Sequence, residues 1–218
     1  MAWHDGLSPD EVRLLLAMGG LLSLGLQGRV AAWLQSARPE QLPPEGVWRV
    51  WLILSGRGWG KTRTGAETVI SWIAEGTVTH VAIVGQTRED VRNVMVAALL
   101  KSAGTDAVFS ESHLELTFPS GAVIRGFSAE DPDSLRGHQF DAAWCDELGA
   151  WRRPEAFDQL QMCVRVGEGR IIVTTTPRPI PVIRALLADP TTVVTRGRTL
   201  DNVANLSQGA VNYLFGRY

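Results

Sequence analysis

The sequence predicts an α/β protein with a mainly parallel central sheet, flanked by helices and carrying one inserted β-hairpin. Three observations carry this. Apolar runs at residues 48–54, 78–84, 141–145, 170–174 and 191–195 are continuous rather than alternating, as strands buried on both faces require. Amphipathic stretches at 61–74, 88–102, 154–166 and 182–188 lie between them, and strand–helix alternation implies parallel strands joined by right-handed crossovers. Residues 114–118 and 122–127 flank Pro119-Ser120-Gly121, which reads as a hairpin added to that sheet.

Taken in order along the 218 residues, Ser8-Pro9-Asp10-Glu11 starts a helix that runs to about Met18. Ser8 is its N-cap, Pro9 takes the first helical position and Glu11 closes a capping box. Residues 38–46 hold three prolines and no periodicity, so residues 1–46 read as a helical arm with its linker and 47–218 as the main domain. Thr87 and Asp90 frame the start of the helix at 88–102. Composition, at 45% hydrophobic and 20% charged, excludes disorder, collagen-like repeats and a coiled coil. Two cysteines make no disulfide framework and no secretory leader opens the chain, so a reducing, intracellular compartment is expected. Residues 12–26 are broken by Arg13 and three glycines and fall short of the ~20 apolar residues of a membrane span, so no span is expected.

The net charge of −2 conceals an asymmetry: residues 1–148 sum to −6 and residues 149–218 to +4. The basic end presents either a nucleic-acid face or a solvated arginine-rich surface. Lys61 and Lys101 are the only lysines, so any chemistry that needs an ammonium group uses one of these two.

Lys61 sits in the strongest local signal, Ser55-Gly56-Arg57-Gly58-Trp59-Gly60-Lys61-Thr62, directly after a predicted strand and before a predicted helix. Glycines here let consecutive backbone N–H groups curl around a phosphate, and the following helix directs its positive end at it. Lys61 reaches the β- and γ-phosphates and Thr62 offers a hydroxyl to magnesium. Ser55 stands where the pattern G-x-x-x-x-G-K-[ST] has its first glycine. Nothing in the sequence accounts for the bulk of Trp59.

Nucleotide hydrolysis needs more than a phosphate loop: one group to hold magnesium and another to orient the attacking water. The apolar run at 141–145 delivers Asp146 to its C-terminal end to hold the ion, and Glu147, pointing elsewhere, polarises the water. A third run, Ile171-Ile172-Val173-Thr174-Thr175-Thr176-Pro177, ends in hydroxyls. β-Branched threonines suit a strand as such, and strand-end hydroxyls also suit sensing of a γ-phosphate; the spacing leaves both readings open.

This ordered set resembles the ATPase domain of the large terminase subunits of tailed phages and gene transfer agents, the motors that drive DNA into empty capsids. The resemblance rests on S-G-R-G-W-G-K-T continuing as R-T-G-A-E, on S-L-R-G ahead of D-A-A-W-C-D-E, and on T-T-T-P-R-P, and it runs from about Trp48 to Leu206. It implies a P-loop NTPase fold of the RecA-like (ASCE) type, with ATP and Mg2+ as cofactors and a small residue tolerated at Ser55. By the same resemblance Lys61 and Thr62 bind phosphate and magnesium, Arg57 is the loop arginine, Asp146 the magnesium-holding acid and Glu147 the catalytic carboxylate. Thr175 and Thr176 become the coupling motif, Arg136 the candidate arginine finger acting on a neighbouring subunit, and Gln41 a reader of adenine.

The implied partners are double-stranded DNA, a portal protein and a small terminase subunit. The implied assembly is a homo-oligomeric ring on the procapsid, built from subunits that are monomers in isolation, in the bacterial host cytoplasm and away from membranes. Large terminases continue into a nuclease domain of RNase H type; here sixteen residues without an acid follow Asn202, so a motor without nuclease activity is expected. Two other classes compete: a superfamily 2 helicase-like translocase, which needs a second RecA-like domain, and a nucleotide-binding assembly factor that does not hydrolyse.

Overall fold

The computed structural model describes residues 24–215, so the helix start at Ser8 lies outside the described residues. Their centre is one eight-stranded sheet: β1 (Val50–Ser55), β2 (His80–Gly85), β3 (Val108–Ser110), β4 (Glu115–Thr117), β5 (Val123–Ser128), β6 (Ala142–Asp146), β7 (Arg170–Thr175) and β8 (Thr192–Gly197). In space the order is β3-β4-β5-β2-β6-β7-β1-β8. Every pairing from β5 to β8 is parallel, and only β3–β4 and β4–β5 are antiparallel. The expected hairpin is β4–β5, and its inner strand β5 continues the parallel sheet through β2. Strand β3, three residues with an exposed Val108, adds an edge that no sequence period announces.

Alternation along each strand divides the interior in two. Trp51 and Ile53 of β1, Val81 and Ile83 of β2, Trp144 of β6 and Ile172 of β7 share one core. It is closed by α1 (Leu24–Ser36), α2 (Lys61–Ala74) and α3, which covers residues 88–103. Val50, Leu52 and Leu54, with Ala143, Cys145, Ile171 and Val173, face α4 (Glu155–Cys163) and α5 (Pro181–Ala188). A final helix, α6 (Gln208–Phe215), follows 3-10 turns within Thr199–Asn205.

Helix α2 begins at Lys61 because Gly60, at φ 105°, takes the left-handed conformation that turns the loop into the helix without a Cβ penalty. Thr87 and Asp90 cap α3 reciprocally, each side chain bonding the other's backbone N–H. That helix is not regular throughout: Val91–Val96 is a π segment between Arg88–Asp90 and Ala97–Ala103. The wider turn buries Val91 and Met95 together beside Gly85. Helix α1 lies within the helical arm read at 1–46, but no helix of its own was expected after about Met18. Gly25, Gly28 and polar residues blur its apolar stripe, and tertiary burial of Leu26, Val30 and Trp33 holds it, with Leu26 and Val30 in the core beneath α2. Trp48 and Val78 are buried although they precede their strands, so the apolar runs mark burial and overshoot the ladders. Among the described residues, no helix is long and apolar enough to cross a membrane.

At the end of α2, burial raises the Glu75 carboxyl from 4.5 to about 7, with Arg170 opposing the shift. A raised carboxyl pKa means the folded chain holds a proton that the unfolded chain has released. Its contribution is therefore full below pH 4.5 and is lost as pH rises to about 7. Glu75→Gln should flatten the stability–pH profile across that window, by ~2 kcal/mol at neutral pH relative to the parent, in urea unfolding at pH 5 and pH 7.5.

Candidate active site

Strand β7 lies between β1 and β6, so three elements far apart in sequence end side by side: the loop after β1, the acidic pair after β6 and the threonines of β7. Lys61 is buried, with Nζ 3.1 Å from the Ser55 carbonyl and 3.3 Å from that of Gly56, and 3.5 Å from Glu147 Oε1. Thr62 follows on the first turn of α2, its N-terminal end directed at the loop. Arg57 is exposed on the outer turn. The sequence-expected residues from Ser55 to Thr62 thus form one continuous loop leading into α2.

Its outer rim is held by residues that sequence reasoning missed. Three successive loop carbonyls each accept from a distant side chain: Arg57 O from Thr199 Oγ1 at 2.8 Å, Gly58 O from Asn202 Nδ2 at 2.6 Å, and Trp59 O from Arg38 Nη2 at 2.7 Å. Arg38 also donates to Asn202 Oδ1 at 2.8 Å and lies 4.9 Å over the Trp59 ring. Trp59 is therefore an inward anchor of the loop, 1% exposed, with its indole against Gly197, where any Cβ would overlap it. Gln41, expected at the base, sits buried under the loop with both ends of its amide engaged. Oε1 accepts from the Arg38 backbone N–H at 3.2 Å, and Nε2 donates to Thr64 Oγ1 at 2.9 Å.

Asp146 and Glu147 differ because the chain turns between them. Asp146 shares the α2-facing side of β6 with Trp144 and is 8% exposed. Its carboxyl is raised to about 6, first by burial and further by Glu147, while the Thr174 hydrogen bond and Lys61 pull it back. Glu147 has φ 49°, one of two non-glycine residues with positive φ among those described, so its side chain leaves the strand direction. The three threonines all serve this acidic element. Thr174 Oγ1 donates to Asp146 Oδ1 at 2.6 Å, Thr175 Oγ1 accepts from the Gly149 N–H at 2.9 Å, and Thr176 Oγ1 donates to Glu147 Oε2 at 3.1 Å. Arg136 lies away from this cluster in the β5–β6 connection, largely exposed and ion-paired with Asp133 at 3.0 Å.

The donor set suits magnesium. It offers hard oxygens only, from the Asp146 carboxylate and the Thr62 hydroxyl, and no cluster of three His, Cys, Asp or Glu side chains fit for a metal occurs among the described residues. A buried carboxylate with its pKa raised is short of nearby positive charge, which a hard divalent cation would supply.

A glycine-rich loop leading into a helix, an acidic pair ending a neighbouring strand and a hydroxyl strand between them define a P-loop NTPase. The family model for the terminase large subunit, T4likevirus-type, N-terminal, matches residues 52–197, and the chain belongs to that family. No curated protein is a match. Among solved structures, the ATPase domain of the Thermus phage P74-26 large terminase superposes with a TM-score of 0.59 at 16% identity, covering 75% of this chain and 84% of that one. The large terminase of a second thermophilic bacteriophage, in complex with ATP-γ-S, gives 0.62 at 21% identity, over 88% of this chain and 49% of that one. The HK97 bacteriophage large terminase gives 0.55 at 17% identity, over 80% and 39%. The chain therefore spans about half the length of the terminase bound to ATP-γ-S. These likenesses show the shared fold, and the family assignment favours neither the helicase-like nor the non-hydrolysing alternative.

Arg38 and Asn202 share a hydrogen bond and hold adjacent loop carbonyls, so they should be energetically coupled. Asn202→Ala should cost on the order of 1 kcal/mol in urea unfolding and Arg38→Ala more, with the double variant less destabilised than the sum of the two by ~0.5 kcal/mol or more.

Proposed function

We propose that the chain is a magnesium-dependent ATPase motor domain that couples ATP hydrolysis to the translocation of double-stranded DNA into a capsid. The observation that carries this reading is the convergence of Lys61, Asp146, Glu147 and the threonines 174–176 at the end of β7, at the C-terminal ends of the central strands, in a chain of the terminase large-subunit family. The thermophilic phage terminase in complex with ATP-γ-S supports adenine nucleotide as the ligand.

Water attacks the γ-phosphate in line with the leaving oxygen. Glu147, held by Thr176 and Lys61, orients that water and accepts its proton. Lys61 and Arg57 offset charge developing on the phosphate oxygens, and the loop N–H groups cradle the phosphates. Asp146 and Thr62 would hold the magnesium ion, which supplies neutralisation of phosphate charge when bound. Gln41 would read the adenine by exchanging one of its present amide partners for the base. Because Thr176 bonds Glu147 directly, a change at the γ-phosphate reaches β7 and the segment that follows it; Thr175 and Thr176 are in this sense the coupling pair.

In the assembled motor, subunits form a ring with the portal protein and a small terminase subunit, and Arg136 reaches a neighbour's nucleotide. Its pairing with Asp133 is between two exposed groups and is worth little, so it is readily given up.

Phosphate release from ATP should require Mg2+ and be abolished by Lys61→Ala. Glu147→Gln should lower turnover by about 10²–10⁴-fold while nucleotide affinity stays within a few-fold of the parent; most activity surviving in that variant would remove Glu147 from its role. Mixing Arg136→Ala with Glu147→Gln chains under assembling conditions should restore part of the activity that each lacks alone, and absence of recovery would count against action in trans.

A further inference from the structure

Two tryptophans are hydrogen-bonded around Asp146, one directly and one through Thr174. Trp151 Nε1 donates to its backbone carbonyl at 2.9 Å, an ordinary way to satisfy a buried indole. Trp144 does something else. Fully buried on the same face of β6, it donates from Nε1 to Thr174 Oγ1 at 2.9 Å, and that oxygen lies 2.6 Å from Asp146 Oδ1 and 3.1 Å from the Cys145 carbonyl. The indole edge also fills the space beside Gly65 of α2, where any Cβ would overlap it, so Trp144 cannot swing toward the helix.

The chemistry of these groups leaves one arrangement. An indole N–H is a donor only, whereas a hydroxyl has one proton and two lone pairs. Trp144 occupies one lone pair and so confines the Thr174 proton to the remaining directions, and the acceptors within reach are a neutral carbonyl at 3.1 Å and a carboxylate at 2.6 Å. The shorter, charge-assisted bond wins. Trp144 lies within D-A-A-W-C-D-E, where the sequence gives it no role of its own, and its hydrogen bond reaches the acidic group through one intermediary.

We propose that Trp144 is a positioning residue for ATP hydrolysis: by donating to Thr174 it turns that hydroxyl's single proton onto Asp146 and so fixes the carboxylate in the orientation that holds magnesium. This rests on the ATPase reading above. Without the N–H, Thr174 is free to rotate between its partners and the carboxylate loses its fixed direction. Groups that orient a metal ligand from behind typically change metal affinity about 10- to 100-fold when removed.

The test is a cycle of Trp144→Phe, Thr174→Val and the double variant in the full chain, with Thr174→Ser as the conservative control. Two quantities are measured: the Mg2+ concentration for half-maximal ATP turnover, and the affinity for a fluorescent ATP analogue in Mg2+ and in EDTA. Trp144→Phe should raise the Mg2+ requirement about tenfold and leave binding in EDTA within about twofold of the parent. Thr174→Val should match it, the double variant should be no worse than Thr174→Val, and Thr174→Ser should behave as the parent. An unchanged Mg2+ requirement in Trp144→Phe, full additivity in the double variant, or equal losses with Mg2+ and EDTA would each overturn the proposal. Should Trp144→Phe not fold, 3-benzothienylalanine at position 144, which keeps the ring shape and replaces N–H by sulfur, carries the same comparison. A parent chain that neither binds nor hydrolyses ATP with Mg2+ overturns the ATPase reading as well; a competent parent with a normal Trp144→Phe overturns this inference alone.

Discussion

The close approach of α2 to the sheet at Gly65 is the constraint on which the site depends. A Cβ at that position would overlap the Trp144 indole, so the helix lies directly on the ring with nothing between them. Glycine inside a helix costs about 1 kcal/mol relative to alanine, and here the cost is met by full burial of a tryptophan. Since α2 starts at Lys61, its depth on the sheet sets how far the loop and its lysine stand from the ends of β6 and β7. Gly197 repeats the arrangement beneath Trp59, where the missing side chain admits a ring that anchors the loop from below. Two tryptophans, each opposed by a glycine, act as spacers of fixed thickness between loop, helix and sheet.

Sheet order converts that spacing into chemistry. Placing β7 between β1 and β6 brings a strand of hydroxyls to a point where the lysine and the two carboxylates converge. Each threonine bonds a different part of the acidic turn, so the orientation of Asp146, the turn at Gly149 and the carboxylate of Glu147 are all set from one strand end. Burial works against ionised Asp146, and the Thr174 hydrogen bond and Lys61 answer it in part. A divalent cation bound there, as proposed, would answer the residual deficit of positive charge. Glu147 escapes the same burial only because its left-handed backbone directs the side chain out of the core.

Much of this was legible in the chain. The bounds of α2 follow from the glycines ahead of Lys61 and the apolar period behind it, and four buried strands follow from continuous apolar runs; the fifth run, 191–195, marks β8, which lies at the sheet edge and is only half-buried because no strand covers its outer side. Lys61, Asp146 and Glu147 are readable because their chemistry travels with a local pattern, a loop before a helix and an acidic strand end. Helix α1, the π segment and strand β3 were not, since each is held by packing against partners that no local period encodes. Arg38 illustrates the limit: it holds Trp59 from 21 residues away and Asn202 from 164, and neither separation has a pattern to search for.

By itself, then, the sequence determined the fold class, the family resemblance and the residues whose function is set by near neighbours, because turns, caps and periodicity act over a few residues. The tertiary structure alone decided that β7 stands between loop and acid, that Trp59 points inward, that Arg38, Thr199 and Asn202 hold the outer carbonyls of the loop, and that Trp144 reaches Asp146 through Thr174. Those decisions belong to strand order and to side-chain hydrogen bonds between distant segments, which come into being only when the sheet closes its core.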